Sequence, residues 1–437
     1  MASLTPEPTL PPRRRLAAIL GGAAGNLVEW YDWFAYASFS IYFSKVFFPP
    51  GAEIDQRLQA AGIFAIGFIA RPLGAWITGV FADRHGRKLA LVVSVALMCA
   101  GSLAVAVLPG YAVIGPAAPL ILTLARLVQG LSIGGEYGVS ATYMSEMAGR
   151  RRRGFWSSFQ FVTLIGGQII ALGVLIVLQH TLSPADLQAF GWRIAFVIGA
   201  ALALVVWRLQ TDLEESAAFV HIKAQGPTAG TPRSGLVTLI ARFPRETGII
   251  FVLTSAGSLS FYAYTTYMQK YLTDTAHFSK ATAADLSAVA LILFLAVQPF
   301  FGWVGDLVGR RRILALAFGA GALAAWPIFT GIARASSPAL ALALICAALF
   351  LLAGYTAVNA VVKSELFPAE VRTLGVALPY ALGNAVFGGT AELVAEAFRK
   401  WGFEGGFFIY LAAIQAAGFL TALMMRDTQA RSLIVED

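Results

Sequence analysis

The sequence predicts an all-α integral membrane protein with twelve transmembrane helices, arranged as two pseudo-symmetric bundles of six. Three observations predict this fold: an apolar composition, twelve apolar stretches of membrane-spanning length, and a charged motif that occurs twice. Of the 437 residues, 58% are hydrophobic and only 13% are charged, and the mean hydropathy is +0.71. Soluble globular proteins have about 45–50% apolar and about 25% charged residues, so this composition indicates a polytopic membrane protein.

The apolar stretches set the number of spans. A helix needs about 20 mostly apolar residues to cross a bilayer. Twelve such stretches are predicted to begin near Leu16, Leu58, Leu89, Pro119, Phe155, Trp192, Thr247, Ala283, Ile313, Pro338, Leu374 and Gly406. The stretch after Arg15 is too long for a cleavable signal peptide and is predicted to be the first transmembrane helix.

The longest polar interruption, residues 211–235, divides the chain into six spans and six spans. Its end is rich in Gly, Pro and Thr, which is typical of a linker. Lys and Arg concentrate at the termini and in the connections on the same side, so the positive-inside rule predicts that both termini are cytoplasmic. The predicted organisation is an N-terminal tail 1–15, a six-helix bundle 16–210, a cytoplasmic linker 211–244, a six-helix bundle 245–426 and a C-terminal tail 427–437.

Composition and motifs also exclude several functions. The net charge of +8 does not indicate nucleic-acid binding, because the basic runs lie between apolar segments, where they act as orientation signals. Cys99 and Cys346 lie inside apolar stretches, so no disulfide is expected. The four histidines have no metal-ligand spacing and no phosphate-binding loop occurs. We therefore expect no metal site and no enzymatic activity.

A charged motif follows the second and the eighth span. "GVFADRHGRK" and "GWVGDLVGRRR" repeat the same glycines, acid and bases at one constant offset along the chain, and "EMAGRRRR" and "ELFPAEVR" repeat a Glu and an Arg seven residues apart after the fourth and tenth spans. We expect these groups to bridge helix ends and to hold the two halves together in one state. The alternative is that the bases only fix topology. The predicted gate residues are Gly79, Asp83, Arg84, Gly86, Arg87, Glu146, Arg153, Asp306, Arg310, Glu365 and Arg372.

Ionisable residues also fall inside the predicted spans. Glu29 and Asp32 lie one helical turn apart in the first span, Arg71 interrupts the second, and Arg126 and Glu136 lie in the fourth. An ionised carboxyl group in hydrocarbon costs about 2.5–3.5 kcal/mol on insertion scales. Three acids face two arginines, so one acid lacks a cationic partner and is expected to hold a proton. This pattern predicts proton coupling; the alternative is a static ion network.

Polar faces on the fifth, seventh, tenth and eleventh spans predict a water-filled path. A planar arginine binds a carboxylate through two hydrogen bonds, so Arg71 near mid-membrane indicates a small organic acid as the ligand. Lys363 is equally well explained as a residue that snorkels to the interface, and Lys270 as an interfacial anchor. The predicted substrate-binding residues are Arg71, Arg126, Tyr36, Gln160, Gln168, Tyr262, Lys270, Asn359 and Asn384.

The loop pattern G-x3-D-R-x-G-R-K resembles the hallmark loop of the major facilitator superfamily, and this resemblance covers essentially the whole chain. The stretches "GNLVEWYDWFAY", "GFIARPLGAW", "ARLVQGLSIGGEYG", "SFQFVTLIGGQ", "YTTYMQKYL" and "FGGTAELVA" resemble its metabolite:proton symporter family. The resemblance implies a path between the two six-helix halves and alternating access by rocking. It also implies a monomer in the bacterial inner membrane, with the proton as coupling ion and no other cofactor.

The resemblance assigns roles to two residues. Proton-driven sugar porters of the superfamily pair a first-span Asp with a fourth-span Arg, and Asp32 and Arg126 match those positions by span and local pattern. Asp32 is therefore the expected proton-binding acid, with Arg126 lowering its proton affinity when the pair closes. Glu29 and Glu136 are the alternatives.

The resemblance also implies a substrate class. The fragments are most similar to members that import 2-oxo acids, so α-ketoglutarate (2-oxoglutarate) is the expected substrate. Relatives carry citrate, shikimate or the osmolytes proline and betaine, and these remain alternatives, as does a multidrug/proton antiporter. One departure is that Tyr31 and Trp33 stand where phenylalanines are expected, which changes the shape of the pocket slightly.

Overall fold

A computed structural model describes residues 12–50, 53–213, 215, 219–220, 235–429 and 432–434. Twelve long helices account for most of these residues, and three of them are interrupted. They are α1 Pro12–Phe47, α2 Glu53–His85, α3 Arg87–Val107, α4 Ala117–Met147, α5 Phe159–Thr181, α6 Trp192–Thr211, α7 Pro244–Tyr262 with Ala263–Tyr267 and Met268–Asp274, α8 Lys280–Val308, α9 Arg310–Ala333, α10 Pro338–Thr356 with Asn359–Glu365, α11 Arg372–Gly383 with Asn384–Gly388 and Ala391–Lys400, and α12 Gly405–Met424.

The helices have the lengths and compositions of membrane spans. Among the described residues, nine helices are long and apolar enough to cross a membrane. α1, α2 and α11 complete the set of twelve long helices. The predicted all-α architecture of twelve membrane helices is confirmed.

The helices begin within about five residues of the predicted starts; the largest differences include α1, which begins at Pro12 instead of Leu16, and α2, which begins at Glu53 instead of Leu58. The predicted linker contains a short helix, Leu236–Arg242, that precedes α7. Residues 1–11 of the predicted N-terminal tail, most of residues 214–234 of the predicted linker, and residues 430–431 and 435–437 of the predicted C-terminal tail lie outside the described residues.

Small residues let α2 and α4 pack with their backbones in contact. A Cβ atom on Gly74 would lie 2.0 Å from the Leu131 carbonyl oxygen, and one on Gly134 would lie 2.0 Å from the Arg71 carbonyl oxygen. In membranes, close packing of this kind replaces the hydrophobic driving force between helices. The contact at Gly134 also fixes the backbone position from which the Arg71 side chain projects.

The two halves meet along two pseudo-symmetric helix pairs. α2 of the N-terminal half packs against α11, and α5 packs against α8 of the C-terminal half. The connections α2–α3, α4–α5, α8–α9 and α10–α11 lie together at one end of the molecule, which we call the basic end. A Cβ atom on Gly79 would lie 2.8 Å from the Leu374 Cα atom, and one on Gly302 would lie 2.5 Å from the Gly154 carbonyl oxygen, so both glycines permit close approach across the halves.

Three helices of the C-terminal half are irregular near the interface. α7 and α11 each contain a five-residue π-helical segment, Ala263–Tyr267 and Asn384–Gly388, and α10 is interrupted after Thr356. π-helical turns occur frequently at functional sites because they redirect side chains. Tyr262 and Asn384 stand at the start of these two segments.

Candidate substrate and proton sites

Arg71 is buried between the halves in a cage of aromatic rings. Its guanidinium carbon lies 4.0 Å from the centre of the Trp33 ring, 4.1 Å from Phe68 and 5.2 Å from Trp30. Its Nε and Nη2 atoms have no hydrogen-bond partner among the described residues. Cation–π contacts offset part of the cost of burying this charge, but two donors are left available for a ligand.

A small cavity adjoins this cage on the side of the C-terminal half. Its lining includes Trp30, Tyr262, Tyr355, Tyr380 and Asn384. The phenol groups of Tyr262 and Tyr380 lie close enough to Arg71 to interact with it electrostatically, and the Tyr262 hydroxyl has no hydrogen-bond partner among the described residues. The volume of about 10 Å³ holds roughly one water molecule. A ligand therefore requires the halves to separate here.

Asp32 and Arg126 form a closed network inside the N-terminal half. Arg126 Nη1 donates to Asp32 Oδ2 at 3.0 Å, and both side chains are fully buried. Gln129 Nε2 donates to the same oxygen at 2.8 Å and accepts from Arg126 at 2.6 Å, while Ser102 donates to Asp32 Oδ1. The arrangement suits an ionised carboxylate, because every contact brings a donor or a cation to it.

Two further acids lie along the same helices, closer to the basic end. Glu29 accepts a hydrogen bond from Ser132 at 2.9 Å and is close to Arg71. Glu136 is fully buried, and neither of its carboxyl oxygens has a hydrogen-bond partner within the described ranges. A buried carboxyl group without a partner is far less costly when it carries a proton. The predicted excess of acids over arginines therefore corresponds to Glu136.

One aromatic side chain connects the two arginines. The Trp33 ring centre is 4.0 Å from the Arg71 guanidinium carbon and 5.0 Å from that of Arg126. Trp33 is fully buried on α1, one residue after Asp32. The candidate ligand cation and the candidate proton site are thus in contact through a single ring, and the tryptophan has more area for this contact than the phenylalanine expected at this position.

At the basic end, one aspartate from each half caps a helix of the other half. Asp83 accepts hydrogen bonds from the backbone N–H groups of Thr373 and Leu374, both at 3.1 Å, at the start of α11. Asp306 accepts from the N–H groups of Gly154 and Phe155, at 2.8 and 2.9 Å, just before α5. A carboxylate at a helix N-terminus satisfies unpaired N–H groups and interacts favourably with the helix dipole.

Ion pairs surround these caps. Glu146 of the N-terminal half accepts from Arg372 of the C-terminal half at 2.6 Å, and Arg87 donates to the Ala369 carbonyl oxygen at 2.5 Å. Arg310 donates to Asp306 at 2.7 Å. These predicted gate residues are brought together across the interface. Arg84 is exposed, and Gly86 and Gly309 form the turns with φ of 110° and 94°.

The remaining predicted ligand residues differ in whether their polar atoms are already engaged in hydrogen bonds. Asn359 and Asn384 lie at the interface between the halves, and the Gln168 Oε1 atom has no hydrogen-bond partner in the described part of the chain. Gln160, in contrast, is engaged with Asn26 and Ser140. The Tyr36 hydroxyl donates to the Ala60 carbonyl oxygen at 3.1 Å, and its ring covers Arg126 at 4.1 Å.

Lys270 is not brought to the Arg71 cavity. It lies about two helical turns beyond Tyr262, with half of its side chain exposed, and forms an ion pair with Glu392. This geometry corrects the prediction that Lys270 binds substrate. The reason is that Lys270 lies on the short helix Met268–Asp274, which follows the π-helical segment and places its side chain at an exposed position.

Sequence reasoning missed one group of residues, the C-terminal tail, and left the role of Lys363 open. Lys363, explained equally well by the sequence as a snorkelling residue or as part of the polar face of α10 with Asn359, is fully buried between Tyr137 and Tyr380. The C-terminal tail also joins the gate. Thr428 donates to Glu365 at 2.6 Å, Gln429 donates to the Asp306 carbonyl oxygen at 2.9 Å, and Arg153 donates to Ser432 at 3.3 Å. No periodic pattern marks this tail.

Within the described ranges, no group of three or more His, Cys, Asp or Glu side chains is placed to hold a metal ion. The described residues thus place two unpartnered donor nitrogens of Arg71 at the interface, three buried acids inside the N-terminal half, and hydrogen bonds between the halves at the basic end.

Comparisons with known proteins agree with the predicted fold and family. The family described as "Sugar (and other) transporter" matches residues 18–231, and the family described as "Major Facilitator Superfamily" matches residues 250–435. A solved structure of the proton:xylose symporter XylE bound to 6-bromo-6-deoxy-D-glucose superposes with a TM-score of 0.79 at 18% identity, over 97% of this chain and 98% of that chain. At this identity the likeness concerns the fold.

Two relatives are similar in sequence over most of their length. The alpha-ketoglutarate permease of Escherichia coli (strain K12) is 47% identical over 94% of both chains. The citrate-proton symporter of Klebsiella pneumoniae is 31% identical over 89% of this chain and 86% of its own. The predicted resemblance is confirmed: the chain belongs to the major facilitator superfamily, in the same family of membrane transport proteins as alpha-ketoglutarate permease.

Proposed function

We propose that this protein is a proton-coupled symporter that imports a small organic acid, 2-oxoglutarate, by alternating access. The observation that carries the proposal is the buried Arg71, which presents two unpartnered donor nitrogens at the interface between the halves. A guanidinium binds a carboxylate through paired hydrogen bonds, and the aromatic cage keeps it positioned while the site is empty.

The choice of substrate is supported by the cavity and by the relatives. The Tyr262 hydroxyl and the Asn384 amide lie beside Arg71 on the cavity wall, and both can donate to the 2-oxo group of an oxo acid. The alpha-ketoglutarate permease matches nearly the full chain. Citrate, shikimate, proline and betaine are the alternatives within the family, since relatives described as citrate-proton symporters and proline/betaine transporters also match.

The coupling ion is the proton, and Asp32 carries it. In the closed pair with Arg126, Asp32 is stabilised as a carboxylate; protonation removes the counter-charge of Arg126 and loosens the pair. Trp33, in contact with both Arg126 and Arg71, transmits this change to the ligand site. Glu29 and Glu136 are the alternative proton carriers.

Alternating access uses the gate at the basic end. The caps made by Asp83 and Asp306 and the Glu146–Arg372 pair hold that end closed, and their rupture opens it. By the positive-inside rule the basic end is cytoplasmic, so both termini lie in the cytoplasm. The protein works as a monomer in the inner membrane of a bacterium, and transport requires no other cofactor.

A multidrug/proton antiporter is the competing function on the same fold. Export of varied hydrophobic compounds calls for a broad apolar pocket, whereas the cavity wall here includes the polar groups of Tyr262, Tyr380 and Asn384, next to an arginine with two donor nitrogens that have no partner among the described residues. These features favour a specific anionic substrate over a hydrophobic one. Transport as the protein's role argues against enzymatic activity.

The test is uptake by purified protein in lipid vesicles under an imposed pH gradient. We expect accumulation of radiolabelled 2-oxoglutarate when the lumen is alkaline. We also expect unlabelled 2-oxoglutarate to compete for this uptake more strongly than citrate, shikimate or betaine does. Preferred uptake of one of those three compounds would reassign the substrate within the family. Extrusion of hydrophobic dyes without uptake of any acid would establish the antiporter instead.

A further inference from the structure

Lys363 is a buried cation that the gate and the proton site do not use. It lies in the second segment of α10, with a relative exposure of 1%, and its Nζ atom has no hydrogen-bond partner in the described residues. Its near neighbours are aromatic: Nζ is 4.2 Å from the Tyr380 ring centre and 5.1 Å from that of Tyr137. No described carboxylate forms an ion pair with it.

An aromatic cage alone does not account for a lysine at this position. Burying an ammonium group costs more free energy than cation–π contacts with aromatic rings return. A methionine or leucine would fill the same space between two tyrosines without that cost. The position therefore suits a cation that meets an anion in another step of the transport cycle.

The two tyrosines separate Lys363 from the Arg71 cavity. Tyr137 of α4 and Tyr380 of α11 stack with ring centres 3.5 Å apart and planes 9° from parallel. They belong to opposite halves, so the stack parts when the halves separate. Tyr380 also lines the cavity beside Arg71. Arg71 of the N-terminal half and Lys363 of the C-terminal half therefore both lie near Tyr380, with Lys363 on the side of the basic end.

A second polar group accompanies the lysine. Asn359, one turn earlier on α10, donates to the Tyr137 hydroxyl, and its own Oδ1 atom has no hydrogen-bond partner among the described residues. When the tyrosine stack parts, the Asn359 amide is released on the same helical face as Lys363. The site beyond the stack thus offers a cation and an amide donor, which together match a carboxylate.

We propose that Lys363 binds the distal carboxylate of the substrate while Arg71 holds its 2-oxo acid end. The inference rests on the proposed transport of a 2-oxo dicarboxylate and adds the residue that selects for the second carboxyl group. The 2-oxo end is assigned to Arg71 because Tyr262 and Asn384, which can donate to the oxo group, lie there. A ligand held in this way joins the two halves through one cation on each.

The experiment compares binding of 2-oxoglutarate with binding of 2-oxovalerate, which has the same carbon chain without the distal carboxylate. Calorimetry on the purified full-length protein measures both affinities. A lost charge-assisted hydrogen bond weakens binding by about 10- to 100-fold. We expect Lys363→Gln to lose that much affinity for 2-oxoglutarate while its affinity for 2-oxovalerate stays within twofold. Lys363→Arg should keep most of the preference for the dicarboxylate.

The matched control is Lys400→Gln, which removes an exposed lysine at the end of α11 and should change neither affinity. Equal weakening of both ligands in Lys363→Gln would assign the lysine a structural role and overturn the proposal, and so would unchanged binding of both. Lys363→Met, which also removes the charge and fills the space between the two tyrosines, serves the same comparison if the glutamine variant does not fold. If the wild-type protein binds neither 2-oxo acid, the result contradicts the proposed function itself and not only the role of Lys363.

Discussion

The two halves of the molecule share one helical plan but differ in the charges they bury. In the middle of the N-terminal half, Asp32 and Arg126 pair between helices, with Glu29 and Glu136 nearby and Arg71 facing the interface. The repeat aligns Arg71 with Phe294, because each stands eight residues before the motif glycine, Gly79 or Gly302. It aligns Glu136 with Tyr355, because each stands ten residues before the motif glutamate, Glu146 or Glu365. The C-terminal half thus has uncharged residues at these two positions. Apart from the gate residues, Lys363 is the buried cation among the described residues of the C-terminal half.

The two capping aspartates of the gate, in contrast, make corresponding hydrogen bonds. Asp83 and Asp306 each cap a helix start of the opposite half with two hydrogen bonds. The comparison teaches that the capping aspartates are present in both copies of the repeat, whereas the candidate proton-binding acids are concentrated in one copy. The candidate ligand cation, Arg71, lies where the two halves meet.

The largest effect should come from Arg71, because the account gives this residue the main contact with the ligand. Arg71→Gln should lower 2-oxoglutarate uptake by at least about 30-fold, since removal of one partner of a buried charged contact costs about 2–5 kcal/mol or more. Arg71→Lys should be intermediate, because an ammonium group cannot bind a carboxylate through two parallel bonds. Uptake in vesicles with matched protein content measures both. Normal uptake in Arg71→Gln would move the ligand contact to the C-terminal half.

Asp32 tests whether proton binding is confined to the N-terminal half. Asp32→Asn keeps the shape of the side chain but cannot release a proton, so accumulation driven by a pH gradient should be lost. Exchange of internal for external 2-oxoglutarate, which needs no net proton movement, should persist within about threefold. The two assays on one vesicle preparation separate coupling from binding. Retained accumulation would transfer the role to Glu136 or Glu29, and Glu136→Gln is the variant that decides between these two.

The gate caps provide a test of symmetry. Asp83→Asn and Asp306→Asn each replace a charged acceptor by a neutral one, and a charge-assisted hydrogen bond contributes about 1.5–3 kcal/mol. Each variant should raise thiol labelling of a cysteine placed at buried Ser364 by about 10-fold, in a background without Cys99 and Cys346. Similar effects in both variants support the symmetric gate. An effect in only one of them would show that the halves do not share closure.

The smallest effect should come from Lys270, the lysine that sequence reasoning placed in the ligand site. It forms an exposed ion pair with Glu392, and exposed pairs contribute little to stability or binding. Lys270→Gln should change the KM for 2-oxoglutarate by less than about threefold. A change as large as that expected for Lys363→Gln would restore the original assignment and exchange the roles of the two lysines.

Much of the architecture could be predicted because hydropathy and the repeated loop motif are properties of the chain itself. Asp32, Arg126 and Arg71 could be selected for the same reason: charge inside an apolar span is costly and needs an explanation. The sequence could not show whether Lys270 or Lys363 lies closer to the ligand site. The sequence explained Lys363 equally well as a residue that snorkels to the membrane surface and as part of a polar helix face. The packing of Tyr137 from the other half, which encloses it, cannot be read from the sequence. Contacts between distant segments, such as Thr428 with Glu365, leave no periodic trace in the sequence.

The most direct test of the account follows protons and substrate together. Vesicles that contain the wild-type protein, with no imposed pH gradient and with the membrane potential clamped, receive external 2-oxoglutarate while the pH of a weakly buffered medium is recorded. The account predicts that the medium becomes more alkaline as labelled 2-oxoglutarate enters, because protons move inward with it. Entry of 2-oxoglutarate with no pH change, or with acidification of the medium, would contradict it.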